Sequence, residues 1–204
     1  MKYIDLSHPI SKNTVTYPSD PDITIKKEKN IKDHNTLLHS FSMGTHTGTH
    51  LDSPAHILHG GKTIDKFPID SFTGKAIKVN NNNFCELESL KIELDGLVYD
   101  TGWYKNFNKP ELFYGPNRPS LPSGIIELVI NNKLKFFGCD LPSVDRSGSK
   151  KKIIHNSLLK KDIIIYESLA NLNQIPLLQP FRYFGFPLPV KDLDGSPVRV
   201  IAEI

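Results

Sequence analysis

Residues 46 to 56 read His-Thr-Gly-Thr-His-Leu-Asp-Ser-Pro-Ala-His, and no other segment restricts the fold as much. His46 and His50 are four apart, the spacing that puts two side chains on one face of a helix. The local composition argues against a helix: Gly44 and Gly48, Thr45, Thr47 and Thr49, and Pro54 all disfavour one. An extended chain suits the segment better. His46, Gly48, His50, Asp52, Pro54 and His56 share parity, and on a strand residues of equal parity point to one side. Gly48 would then leave space between two histidines for an ion or a substrate. Pro54 predicts that the strand ends near Asp52 and that a turn carries His56.

Two imidazoles and a carboxylate on one face are ligands for zinc, manganese or iron. A catalytic site keeps one coordination position open, so a partial set is what it requires. Five of the eight histidines, His39, His46, His50, His56 and His59, fall within 21 residues. A lone histidine more often makes a structural hydrogen bond, but this density together with Asp52 points to a metal. A second ion would need further donors. His155 and Glu167 are available for it, and so, on the residues alone, are His8, His34 and Asp140.

Strand patterns flank this segment at residues 2–6, 37–43, 74–79, 96–100, 135–139, 181–186 and 198–201. Ile163, Ile164, Ile165 and Tyr166 form a β-branched run suited to a buried strand. Ser123 is placed to cap a helix through Ile125, Ile126, Leu128 and Val129. A second helix fits residues 151–160, and a less regular pattern covers 86–93. Strand outweighs helix and no regular βαβ alternation is visible, so the expectation is an α/β fold with a mixed sheet. The length suits one domain over residues 1–204. An apolar content of 38% can build a core without staples, so the metal concerns function rather than folding.

Several classes of function are disfavoured. The net charge of +3 rests on short lysine clusters such as Lys150-Lys151-Lys152, without the basic, aromatic-interleaved pattern of a nucleic-acid binder. Cys85 and Cys139 form no CxxC pair. No window approaches the roughly 18 apolar residues of a membrane span, and Asp5 interrupts any signal-like run. The expectation is a cytoplasmic protein with neither membrane nor nucleic acid as partner. Neither a Gly-x-Ser-x-Gly elbow nor a phosphate-binding glycine loop is present.

His46, Gly48, Thr49, His50, Asp52, Pro54 and His56 fill the pattern His-x-Gly-Thr-His-x-Asp-x-Pro-x-His. In this the chain resembles the cyclase-like metal hydrolases, a family that includes bacterial arylformamidases (kynurenine formamidases) and isatin hydrolases. The resemblance extends through Asp5-Leu6-Ser7-His8-Pro9-Ile10, Thr101-Gly102-Trp103, Gly138 to Asp145, and Glu167 to Leu172. It implies a compact mixed sheet with a barrel-like β core and flanking helices, of the swivelling β/β/α type, and homodimers or larger assemblies. It implies one or two divalent ions, zinc first and manganese second. His46, His50 and Asp52 would hold one ion, and Asp52, His155 and Glu167 the other. His56 would be the acid-base group. Tyr17 and Trp103 would line the substrate pocket, with Asp140, Ser143 and Asp145 as supporting turn residues. The arylformamidases carry Trp-Pro-Gly-Asp where this chain has Tyr17-Pro18-Ser19-Asp20. The implied reaction is hydrolysis of an amide C–N bond in a small aromatic substrate, as in tryptophan catabolism. Opening of a lactam, or metal binding without catalysis, are the alternatives.

Overall fold

The longest apolar runs become the middle of a sheet. In the computed structural model, which describes residues 1–89 and 92–204, β5 (Thr73–Val79), β6 (Gly96–Tyr99), β7 (Phe136–Cys139) and β8 (Ile164–Glu167) lie side by side and parallel. Strands covered on both faces need apolar side chains at every position, and β6 and β7 are buried throughout. Antiparallel strands extend both edges. β9 (Pro180–Phe184), β11 (Ile201–Glu203) and β1 (Tyr3–Asp5) follow β5; β4 (His50–Asp52) and β10 (Gly195–Pro197) follow β8. The result is a curled, nine-stranded half-barrel sheet with few helices.

Alternation along the strands divides the core in two. Leu97, Phe137 and Ile165 face a layer containing α3 (Ser123–Asn131) and α4 (Ile153–Leu159), which contribute Ile125, Val129, Leu158 and Leu159. Val98, Phe136, Ile164 and Tyr166 face the concave side, where Phe136 stacks on Tyr183 at 4.5 Å. Two short helices, α1 (Ile31–His34) and α2 (Pro110–Phe113), lie outside these layers. β2 (Thr24–Lys29) and β3 (Leu38–Ser42) form a separate hairpin in which every residue is exposed, Ile25, Leu38 and Phe41 included. Among the described residues no helix is long and apolar enough to cross a membrane.

Three expectations need correction. β6, α3, β7, α4 and β8 do alternate as βαβ units. α4 has only seven residues and the crossover from β5 to β6 carries the 3-10 helix Phe84–Ser89, so a regular 3.6-residue period recurs only at α3. The pattern over 86–93 is a 3-10 helix, Phe84–Ser89, and residues 90 and 91 lie outside the described residues. The strand through the histidine segment is confined to His50–Asp52, because residues 45–49 turn. Gly48 adopts φ +65, the left-handed region open to glycine, and a Cβ there would meet Ile10 at 3.1 Å. Its role is thus the turn rather than an opening between the histidines.

Candidate metal centre

The register of β4 against β8 sets His50 opposite Glu167. Asp52, of the same parity as His50, points to the same side. α4 then supplies His155 from the crossover between β7 and β8. These four side chains are all buried, and they close into a ring in which imidazoles alternate with carboxylates. His50 Nε2 lies 3.4 Å from Asp52 Oδ1 and 3.5 Å from Glu167 Oε2. His155 Nε2 lies 3.3 Å from Asp52 Oδ2 and 3.4 Å from Glu167 Oε1.

Those separations are too long for good hydrogen bonds and suit an ion. His50 Nε2 faces one oxygen of each carboxylate and His155 Nε2 faces the other, and His50, Asp52 and Glu167 lie close enough together for one ion. The other ring nitrogens agree. His50 Nδ1 donates to the Gly48 carbonyl at 2.9 Å, and His155 Nδ1 donates to Asp145 at 2.6 Å. Each imidazole therefore turns its Nε2 lone pair inward, as metal-binding histidines with an outer acceptor do. Asp52 Oδ2 is buried without a hydrogen-bond partner. The donor set, its spacing and this orphaned oxygen fit a divalent cation.

His46 stands differently. It is half-buried, with Nδ1 2.7 Å from Asp52 Oδ1 and Nε2 2.8 Å from Asp194 Oδ2. Both nitrogens are at hydrogen-bonding distance from carboxylates, so an ion between His46 and Asp52 requires that contact to open. Two groups of donors each close enough for one ion are His50, Asp52 and Glu167, and His46, Asp52 and His56, and both include Asp52.

The electrostatics follow. Burial opposes charge on His46, but the Asp52 charge and hydrogen bonds to Asp194 and Asp52 outweigh it and push its pKa up to about 9. Burial likewise opposes charge on His50, where Asp52 and Glu167 push it up to about 10. His155, also working against burial, is held well above the imidazole range by Asp145, Asp52 and Glu167. Burial and the neighbouring Asp52 charge would raise Glu167, but His155 and His50 hold it down at about 2. Without an ion, imidazolium charges thus balance the buried carboxylates, and a divalent cation would take their place.

Asp194 is the site residue that the sequence did not reveal. Ser53 donates both its amide and its hydroxyl to the Asp194 carbonyl at 2.9 Å, and β10 pairs Gly195 with Asp52. A Cβ on Gly195 would lie 2.7 Å from His46 Cε1, so glycine lets this strand close over the imidazole. Thr45 Oγ1 holds Asp194 Oδ1 at 3.1 Å, and Oδ2 lies 3.4 Å from His56 Nδ1. One carboxylate therefore touches both half-buried histidines. The only sign in the sequence was an acid before a glycine, Asp194-Gly195.

His46, His50, His56, His155 and Glu167 border a cavity of about 270 Å³ that also reaches Tyr17, Tyr114, Ser143 and Lys152. Tyr17 meets Tyr114 edge-on, ring centres 5.6 Å apart, and the Tyr114 hydroxyl donates to the Val15 carbonyl. Trp103 does not line this cavity. Its indole N–H donates to the Phe113 carbonyl at 3.1 Å, so it braces the helix that delivers Tyr114. Other candidates fall elsewhere. His8 stacks on Phe107 at 3.8 Å, and burial takes its pKa down to about 4. His34, His39 and His59 are exposed, and Asp140 is occupied by Thr101 and Tyr104.

Known proteins share this architecture. The family model described as "Putative cyclase" matches residues 4–146. The kynurenine formamidase of Salinibacter ruber is 31% identical over 209 residues, covering 98% of this chain and 97% of its own. Among solved structures, isatin hydrolase A from Labrenzia aggregata bound to benzyl benzoate superposes with a TM-score of 0.82 at 23% identity, over 98% of this chain and 93% of its own. A structure described as a "potential metal-dependent hydrolase with cyclase activity" gives 0.77 at 20% identity, over 98% and 96%. At these identities the two structures establish the shared fold.

Proposed function

The chain belongs to the cyclase family, and on that footing we propose that it is a metal-dependent hydrolase of an amide C–N bond in a small aromatic substrate. The ring of His50, Asp52, His155 and Glu167, spaced for an ion and bordering a cavity beside His56, carries this reading. His50, Asp52 and Glu167 hold one divalent ion, with His155 facing the other oxygens of the two carboxylates; zinc comes before manganese, and both accept imidazole and carboxylate ligands. His46 and Asp52 contribute to a second, weaker position. When bound, such an ion makes water acidic near neutral pH and polarises a carbonyl oxygen.

The chain's own groups do the remainder. His56 is carried by the turn Pro54–His56, and its Nδ1 faces Asp194. That leaves Nε2 to take a proton from water and to deliver it to the leaving nitrogen. A carbon–oxygen bond forms as the C–N bond breaks, giving a carboxylate and an amine. Imidazole suits this exchange because it gains and loses a proton near neutral pH. Asp194 fixes the orientation of His56. Tyr17 and Tyr114 form an edge-on aromatic wall against which an aryl group packs. The kynurenine formamidase relative supports a formamide as the bond cleaved. A single domain, a cytoplasmic location and a homodimer complete the reading.

The test is to measure the metal content of the purified protein and then assay formanilide, N-formylkynurenine and isatin side by side. Turnover of at least one aryl amide, lost on chelation and restored by zinc or manganese, is expected. Metal-loaded protein inert towards all three would overturn the reading.

A further inference from the structure

Two polar side chains in the cavity have no task in the chemistry above. Lys152 is the one lysine or arginine on the cavity wall. Its ammonium has no hydrogen-bond or ion-pair partner among the described residues, whereas the imidazoles beside it are all engaged with carboxylates. Ser143 borders the same cavity, is only 5% exposed, and likewise has no partner for its hydroxyl among the described residues.

The backbone holds both in place. Lys152 adopts φ 45 and ψ 51, a left-handed conformation that a non-glycine residue takes only where its surroundings impose it. Its carbonyl accepts the Asn156 amide at 2.9 Å, which starts α4 one turn before His155. The Asp145 carboxylate takes the amides of Ile154 and His155, tying the loop that follows Ser143 to the same helix. The residue after Ser143, Val144, donates its amide to Glu167 Oε1 at 2.7 Å. Each of the two unpartnered groups is thus anchored, through backbone hydrogen bonds, to a member of the metal ring.

We infer that Lys152 and Ser143 form a subsite for a carboxylate carried by the substrate. The substrate class this selects is an aryl amide bearing an anionic group, not a neutral anilide. An ammonium and a hydroxyl are donors suited to a carboxylate, and pairing a partly buried lysine lifts the discrimination above that of an exposed charge. Asp20, the acid on the opposing Tyr17 loop, sits beside Tyr114, whose phenol burial and the Asp20 charge push up to about 12. No ion pair joins Asp20 to Lys152 among the described residues, so the lysine is not already neutralised.

This inference rests on the hydrolase reading for its setting but is tested by binding. Metal-loaded wild type, Lys152→Gln, Lys152→Arg and Ser143→Ala would be titrated calorimetrically with 2-formamidobenzoate and with formanilide. Lys152→Gln is expected to weaken 2-formamidobenzoate at least tenfold while leaving formanilide within twofold. Lys152→Arg should retain most of the affinity, and Ser143→Ala should lose less than Lys152→Gln does. Equal losses for both ligands, no loss for either, or no binding of 2-formamidobenzoate by the wild type would overturn the subsite. Ligands that bind as expected but are never hydrolysed would instead sink the hydrolase reading and leave the subsite standing.

Discussion

The buried ring and the cavity rim use the same residue types to different ends. In the ring, His50 and His155 point one nitrogen at an outer acceptor and the other at a carboxylate 3.3–3.5 Å away. At the rim, His46 is gripped at 2.7 and 2.8 Å by two carboxylates, and His56 shares one of them. Spacing makes the difference. Imidazole and carboxylate held just beyond hydrogen-bonding distance leave room for a cation, and held within it they satisfy each other. The spacing in the ring thus suits an ion, whereas the closer contacts at the rim hold the imidazoles in place.

The sharpest way to break this comparison is His50→Ala. The variant should lose the tightly held ion and all measurable activity. Full metal occupancy after gel filtration would show that the ring is not the site. Next comes His56→Ala, which should keep the ring's ion and lose about 10²- to 10⁴-fold in kcat, the usual scale for general acid-base catalysis. Asp194→Asn should also keep that ion, with a smaller loss of about 10- to 100-fold, as for other groups that orient a functional imidazole. If Asp194→Asn emptied the ring as His50→Ala does, ring and rim would be one unit.

Acidity separates the regions less drastically. His46 and His50 are raised in the ion-free fold to about 9 and 10. Groups raised in this way stabilise the fold below their unfolded pKa of about 6.5, and the contribution is lost as pH climbs through the folded values. Chelated protein should accordingly melt at a lower temperature at pH 9.5 than at pH 6.5. Metal-loaded protein should show much less of this decline, because the ion has replaced the protons. Identical pH dependence with and without metal would contradict the charge balance described above. The smallest effect is expected for Trp103→Phe. Loss of one hydrogen bond to the Phe113 carbonyl should cost about 1 kcal/mol, read by denaturant unfolding, with metal content unchanged.

What the sequence revealed divides along similar lines. Local periodicity was enough to pair His50 with Asp52, because strand parity needs only adjacent residues. It was misleading for His46, which reaches Asp52 through a turn at Gly48 and not along a strand. His155 and Glu167 came from family resemblance alone, since their approach to His50 depends on β8 pairing with β4 across more than a hundred residues. Asp194 left no sign beyond an acid before a glycine, for its place is fixed by the pairing of β10 with β4 and by Ser53. Trp103 was expected at the substrate from the family resemblance. The packing instead gives that place to Tyr114, with Trp103 behind it.

The order of strands also has a consequence in time. β1 lies against β11, β9 against both β11 and β5, and β10 against β4, so residues beyond 180 fill three positions in the sheet. A ribosome delivers the motif at residues 46–56 long before it delivers Asp194 and the strands at 195–203. The nascent chain must therefore carry this cluster of histidines and acids while the strand that encloses it is still unsynthesised. Release of residue 203 is the earliest moment at which the sheet can close and its chemistry be confined.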